Sequence, residues 1–96
     1  MSETTVESAK TQIRRVISLL RSGDSAWAGA LEGHLAVMDG RFATKEAFFK
    51  IGEACHPKAL GDVFLPGIPR EDWSREIELL EILCAEAFSE LERSGP

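Results

Sequence analysis

The segment over 71–93 carries the apolar pattern that most constrains how this chain can fold. Its apolar positions alternate steps of four and three and comprise Trp73, Ile77, Leu80, Cys84, Ala87 and Leu91. At about 100° per residue, this spacing places all six on one face of an α-helix, and Leu83 and Phe88 widen that face. The pattern therefore predicts a long amphipathic helix that packs against other elements.

A second amphipathic pattern predicts a helix over 4–22. Thr4 and Glu7 have the spacing of a capping box, which begins a helix. Gly23 is expected to end this helix in a left-handed conformation. The predicted core positions, which recur at three and four residues, are Val6, Ala9, Ile13, Val16, Ile17 and Leu20.

The next segment predicts a helix over 25–39 with Asp24 or Ser25 as its cap. Its shared face carries Trp27, Leu31, His34, Leu35 and Met38. Because the link to the preceding helix is short, the two helices are expected to form an antiparallel hairpin. We expect both Trp27 and Trp73 to be largely buried, since each begins an apolar stripe.

A third, shorter helix is predicted over 45–55, with Thr44 as its cap. It is expected to stop near His56 because Pro57 disfavours helical geometry in the residue before it. Phe49 lies off the centre of its apolar stripe.

The segment over 57–69 holds three prolines and two glycines, so it is not expected to form a regular helix. It is also too apolar for a solvated loop, and we interpret it as an ordered connection across the core. The sequence thus predicts an all-α protein: a small four-helix bundle with an ordered Pro/Gly-containing connection before a long C-terminal helix. It predicts one domain over 1–96, with an ordered core over about 4–93.

Charge is unevenly distributed along the 96 residues, which carry a net charge of −5. Residues 70–96 hold eight acidic residues against three arginines, whereas the rest of the chain is balanced. This excess disfavours binding to nucleic acid phosphates. Lys10, Arg14 and Arg21 share one flank of the first helix and are expected to pair with acids of the last helix, such as Glu78, Glu81 or Glu92.

Localisation and cysteine chemistry follow from what the sequence lacks. No stretch approaches the roughly 20 apolar residues of a membrane span, and the first ten residues lack the apolar core of a signal peptide. We therefore expect a cytoplasmic protein with reduced cysteines and no membrane partner.

Metal-binding and catalytic motifs are not found. A zinc site uses paired ligands at short spacing, whereas His34, Cys55, His56 and Cys84 are scattered over the chain. The adjacent Cys55 and His56 would point about 100° apart on a helix, which does not suit a catalytic pair. Asp62 is interpreted as a turn residue that accepts backbone N–H groups. The sequence predicts no cofactor, no metal and no enzymatic activity.

Three features occur in the order of a known family: Trp27, Leu31 and Leu35, then ALGDVFL at 59–65, then a long acidic helix. Over about residues 10–92, this order resembles small uncharacterised bacterial helical proteins that form a domain of unknown function. The family has an asparagine before the aspartate, where this chain has Gly61 before Asp62. The resemblance implies a compact bundle and assigns no catalytic residue.

The first functional hypothesis is a small interaction or regulatory protein, such as an immunity protein or an antitoxin-like partner. Leu79 and Ile82 fall on the outer face of the last helix, where Glu78 and Glu86 frame them. An apolar patch with a charged rim is typical of recognition surfaces. It predicts a homodimer or a protein partner at this face, unless the third helix or the 57–69 connection covers it.

The alternative hypothesis is a small-molecule-sensing domain. Its pocket would lie between the connection and the second and third helices, near Phe48, His56, Asp62 and Phe64, with Phe49 as a further aromatic. The third hypothesis is that the protein is an enzyme.

Overall fold

Four α-helices make up most of the protein, of which the computed structural model describes residues 4–93. Helix α1 spans Thr5–Ser22, α2 spans Trp27–Ala36, α3 spans Arg41–Ala54 and α4 spans Arg70–Arg93. A single 3-10 turn at Leu60–Asp62 lies in the connection before α4. Residues 4–93 contain no β-strand, so the prediction of an all-α four-helix bundle is confirmed. The outer residues of the predicted domain, 1–3 and 94–96, lie outside the described part.

The core lies where α4 packs against both α1 and α3. Helix α2 completes the bundle by contacting α1 and α3. The apolar stripe of α4 faces inward as its spacing predicts, because Trp73, Ile77, Leu80, Cys84 and Ala87 are all buried. Only the last member of the stripe, Leu91, is half-buried.

The end of α1 differs from the sequence prediction. Thr4 caps the start of α1 as expected, since its Oγ1 accepts the Glu7 N–H at 3.1 Å. Gly23, however, has a φ of −99°, and Asp24 takes the left-handed conformation with a φ of 60°. Gly23 is needed for space: a Cβ there would collide with the buried Leu65 side chain.

Helix α3 begins earlier than predicted. Gly40 precedes it with a φ of 86°, which favours glycine, and the helix starts directly at Arg41. Thr44 is therefore not a cap but lies inside the helix, where its hydroxyl donates to the Gly40 carbonyl at 2.6 Å. Ser25 does act at the start of α2, where its hydroxyl accepts the Trp27 N–H at 3.3 Å.

The 57–69 connection is anchored in the core by Leu60 and Leu65, both buried. The indole Nε1 of Trp73 donates to the Leu60 carbonyl at 2.8 Å and ties the connection to α4. Trp73 is only 2% exposed, as expected. Trp27 is less completely buried than Trp73, because it stands at the first residue of α2 and packs against the core from its edge.

Candidate functional site

An open groove runs along the surface between α3 and α4. Its volume is about 370 Å³. We call it the α3–α4 groove, and it is lined by Phe48, Phe49, Gly52, Glu53, Glu81, Cys84, Ala85, Phe88 and Ser89. Two thirds of these residues are apolar or glycine, so the groove presents a mainly apolar surface to solvent.

Small residues on the two helices open the groove. Gly52 lies in the last turn of α3, and a Cβ added there would meet no atom within 4 Å. Ala85 is the short side chain contributed by α4. The floor is closed by Phe48 and Cys84, which are 1% and 0% exposed.

Aromatic rings form one wall of the groove. The rings of Phe49 and Phe88 are 5.8 Å apart between centroids, at an interplanar angle of 44°. The Lys45 ammonium lies 5.4 Å from the centroid of Phe88, within the range of a cation–π contact. Although Phe49 packs on Phe88, it is 52% exposed, and Phe42, two turns earlier in α3, is 75% exposed.

Acidic side chains stand at one end of the groove. Because α3 and α4 run antiparallel, Lys45 lies beside Phe88, whereas Glu53 lies at the end where Glu81 approaches. Both carboxylates are exposed. The groove therefore has an apolar centre, a lysine near one end and two carboxylates near the other.

The Cys84 thiol on the groove floor is not in its reactive, ionised form. Burial and, to a smaller extent, the neighbouring Cys55 raise the pKa of Cys84 to about 12. Burial and the charge of Glu81 raise the pKa of Cys55 to about 12. Both thiols are therefore protonated near neutral pH, and a protonated thiol is a poor nucleophile.

The predicted recognition residues on α4 are accessible. Leu79 and Ile82 are 45% and 49% exposed, and Glu78 and Glu86 beside them are also exposed. Neither α3 nor the 57–69 connection covers this face. Its role in binding a partner or a second copy stays a prediction. Ile82 lies about 60° around α4 from Ala85, so the face borders the α3–α4 groove.

The predicted small-molecule pocket does not coincide with the groove. Phe48 lines the groove floor, but His56, Asp62 and Phe64 do not line it. His56 is exposed, with its Nδ1 accepting the Lys58 N–H at 3.0 Å, and Phe64 is 78% exposed. The structure does not bring these three residues to the groove, because they lie past Ala54, where α3 ends.

Asp62 also has a different environment from the one expected. Its carboxylate is exposed, and its Oδ1 lies 3.9 Å from the guanidinium of Arg70. It therefore faces the first residue of α4 across the end of the connection.

A polar cluster joins α1 to α4 on the opposite flank of α4 from α3. The Gln12 amide donates to the Glu76 carboxylate at 2.8 Å and to its main-chain carbonyl at 3.1 Å. Arg15 donates two hydrogen bonds to the same carboxylate, at 2.9 and 3.0 Å. The hydrogen bonds from Arg15 are the largest cause that holds the pKa of Glu76 below its usual value, and the Gln12 bond adds to it. Partial burial acts in the opposite direction.

The expected pairing between the α1 cations and α4 is thus wrong in its partners. Arg15, rather than Lys10 or Arg14, bonds to α4, and its partner is Glu76 rather than Glu78, Glu81 or Glu92. Arg21 pairs with Glu32 of α2. The reason is geometric, because Glu78 and Glu81 lie on the α4 flank that turns away from α1.

Sequence reasoning named Phe49 as an aromatic near the predicted pocket but missed its packing on Phe88. The available signal was the position of Phe49 outside the apolar stripe of α3, with Phe42 seven residues earlier and so on the same side of the helix. Such paired aromatics outside a core stripe indicate an exposed apolar ridge.

The described residues offer neither a metal-binding cluster nor a membrane-spanning helix. No group of three or more His, Cys, Asp or Glu side chains among residues 4–93 could hold a metal ion. None of the helices in this part of the chain is long and apolar enough to cross a membrane.

Comparison of the chain with protein-family models, curated protein sequences and solved structures finds no significant match. The resemblance to small bacterial helical proteins therefore stays a prediction.

Proposed function

We propose that this protein is a small protein-binding module, of the regulatory or immunity and antitoxin-like kind, and that it acts by contact rather than by catalysis. The α3–α4 groove is its binding surface. The observation that carries the proposal is an open apolar groove with an exposed aromatic wall. Grooves of this kind bind helices in many complexes.

The exposed rings make this surface suited to binding. Single exposed apolar residues are ordinary, but Phe49 lines an apolar groove and Phe42 precedes it by two turns on the same side of α3. Covering one phenyl ring contributes about 1.5–3 kcal/mol. Aromatic side chains beside a pocket are typical of residues that dominate binding energy.

The groove chemistry favours contact over catalysis. The Cys84 thiol on the floor is protonated, with its pKa raised to about 12 by burial. The two carboxylates, Glu53 and Glu81, are exposed to solvent rather than held in an enclosed site. General acid–base or nucleophilic catalysis usually depends on a group whose pKa lies near the working pH.

Binding of a small apolar ligand is the second candidate. The groove volume of about 370 Å³ lies at the lower end of the range for small-molecule sites. A metabolite that binds the groove would raise the melting temperature of the wild type more than that of Gly52→Leu, whose side chain would fill the site.

Site-specific photocrosslinking tests the proposal. A benzoylphenylalanine at position 49, expressed in the native host, should crosslink a discrete protein that mass spectrometry identifies. The same probe at Ser18, which is exposed on α1, is the control position. The additional change Gly52→Leu should abolish the product from position 49. If both positions gave the same products, or Gly52→Leu left the product unchanged, the groove would not be the binding surface.

A further inference from the structure

The chemistry of the α3–α4 groove also specifies its occupant. We infer that the groove binds an amphipathic helix of a partner protein, with large apolar side chains on one face and a lysine or arginine at the end that meets Glu53 and Glu81. This inference rests on the proposed function and adds the class of partner to it.

Charge complementarity provides the first argument. Glu53 approaches the groove from α3 and Glu81 from α4, so two carboxylates flank the same end. A neighbouring cavity continues beyond this end, and it is lined by Glu78 and Glu81 together with Arg70. A cation between the two walls would meet opposite charge from both, whereas an anion there would be repelled.

The opposite end carries different chemistry. Lys45 lies over the Phe88 ring, 5.4 Å from its centroid, so its charge is already engaged at the aromatic wall. The two ends of the groove thus differ in charge. The acidic end favours a basic residue, and the centre favours apolar side chains. This asymmetry specifies where along the partner helix the basic residue falls.

The shape of the groove favours a helix over a strand. Within residues 4–93 there is no sheet edge to which a strand could add. The main-chain groups in the middle of α3 and α4 are bonded within their own helices, so an extended peptide would find few backbone partners. Two adjacent helices instead form a trough into which the side chains of a third helix can fit.

The length of the groove sets the number of contact residues. From Glu81 to Ser89, the first and last residues of α4 that line the groove, α4 rises by about 12 Å, which corresponds to roughly two turns of a docked helix. Such a helix would present apolar residues at positions i, i+3 or i+4, and i+7. One apolar anchor would enter the space above Gly52 and Cys84, next to the acidic end, where the basic residue would follow.

A peptide selection tests this inference. The library is a phage-displayed set of amphipathic helices with varied apolar anchors, in which each flanking position is Lys, Gln or Glu. It is selected against the folded wild type and, in parallel, against the double variant Glu53→Lys, Glu81→Lys. Circular dichroism of both targets confirms that they are equally helical.

We expect lysine to be enriched at one flank of the peptides selected on the wild type, and glutamate at the same flank on the double variant. A peptide selected on the wild type should bind the double variant about tenfold more weakly, and the difference should shrink at high salt. Gly52→Leu should remove its binding, and Gly33→Leu, on α2, should not.

This experiment distinguishes a wrong partner class from a wrong assignment of the groove as the binding surface. If peptides bound in a manner sensitive to Gly52→Leu but with no preference for lysine, the partner class would be wrong and the groove would remain a binding surface. If no peptide sensitive to Gly52→Leu emerged, both proposals would be contradicted.

Discussion

The indole of Trp73 donates a hydrogen bond to the main-chain carbonyl of Leu60 across 2.8 Å in the buried interior. This contact joins the first turn of α4 to the only 3-10 turn of the described connection. The segment that carries three prolines and two glycines is thereby held against the core. The same bond fixes the start of α4 against the connection that links it to α3.

Trp73→Phe should lower the free energy of unfolding by about 0.5–1.5 kcal/mol, because it removes the indole hydrogen bond to the buried Leu60 carbonyl, which keeps the Val63 N–H as a second donor at 3.3 Å. Trp73→Ala should cost about 3–5 kcal/mol, since it also leaves a cavity. Urea denaturation followed by circular dichroism measures both. Trp27→Phe is the control and should cost less, because Trp27 is only half-buried. Equal losses at the two positions would show that the Leu60 contact adds no stability.

The polar cluster of Gln12, Arg15 and Glu76 should make the free energy of unfolding depend on pH. Arg15 and Gln12 lower the pKa of Glu76 in the folded state, so the carboxylate stabilises the fold above its ordinary unfolded pKa of 4.5. This contribution should decline as the pH falls below about 5 and be lost as it passes through the lower folded pKa.

Glu76→Gln should flatten this part of the pH profile, measured as denaturation midpoints between neutral and acid pH. Glu90→Gln is the control, because Glu90 pairs with Arg93 on the exposed surface of α4. A profile for Glu76→Gln parallel to that of the wild type would contradict the linkage.

Alanine substitutions should change the stability of the protein in opposite directions at Gly52 and Gly23. Gly52→Ala should stabilise the protein by about 1 kcal/mol, since a Cβ there meets open space and alanine favours the helix. Gly33→Ala should behave alike. Gly23→Ala should instead destabilise by about 1–3 kcal/mol, because its Cβ collides with Leu65. Thermal unfolding distinguishes these outcomes, and a destabilised Gly52→Ala would show that the groove is filled in solution.

Ile82→Glu should leave the fold intact, within about 0.5 kcal/mol, because Ile82 is 49% exposed. If Leu79 and Ile82 form a homodimer contact, as the sequence predicts, light scattering should show a wild-type dimer and an Ile82→Glu monomer. If the wild type and the variant had identical mass and bound a partner equally, the prediction that this face is an interface would be contradicted. Loss of the folded state would show that the face packs internally.

The sequence predicts the helices well where one pattern decides the structure. The α4 stripe sets both the helix and its inward face, and Thr4 caps α1 through a local contact. Helix limits are less predictable where a glycine conformation decides them. Gly40, with its positive φ, begins α3 before the threonine that fits the cap pattern.

The groove and the ion pairs depend on how distant helices meet, which residue spacing does not specify. Gly52 is open only because α4 passes it beside Ala85. Glu76, rather than Glu78 or Glu81, meets α1 because of the rotation of α4 about its own axis. Trp27 begins an apolar stripe, yet its place at the start of a short helix leaves it at the edge of the core.

The central claim is that the α3–α4 groove binds a partner protein, and calorimetric titration of the partner identified by crosslinking tests it most directly. Three purified proteins are compared: the wild type, Gly52→Leu and Gly33→Leu. Both substitutions place leucine in open space on a helix, so both should fold at least as stably as the wild type. Gly52→Leu should weaken binding by about 2 kcal/mol or more, roughly 30-fold, because its side chain occupies the anchor site. Gly33→Leu should bind like the wild type, and equal affinity for all three proteins would contradict the account.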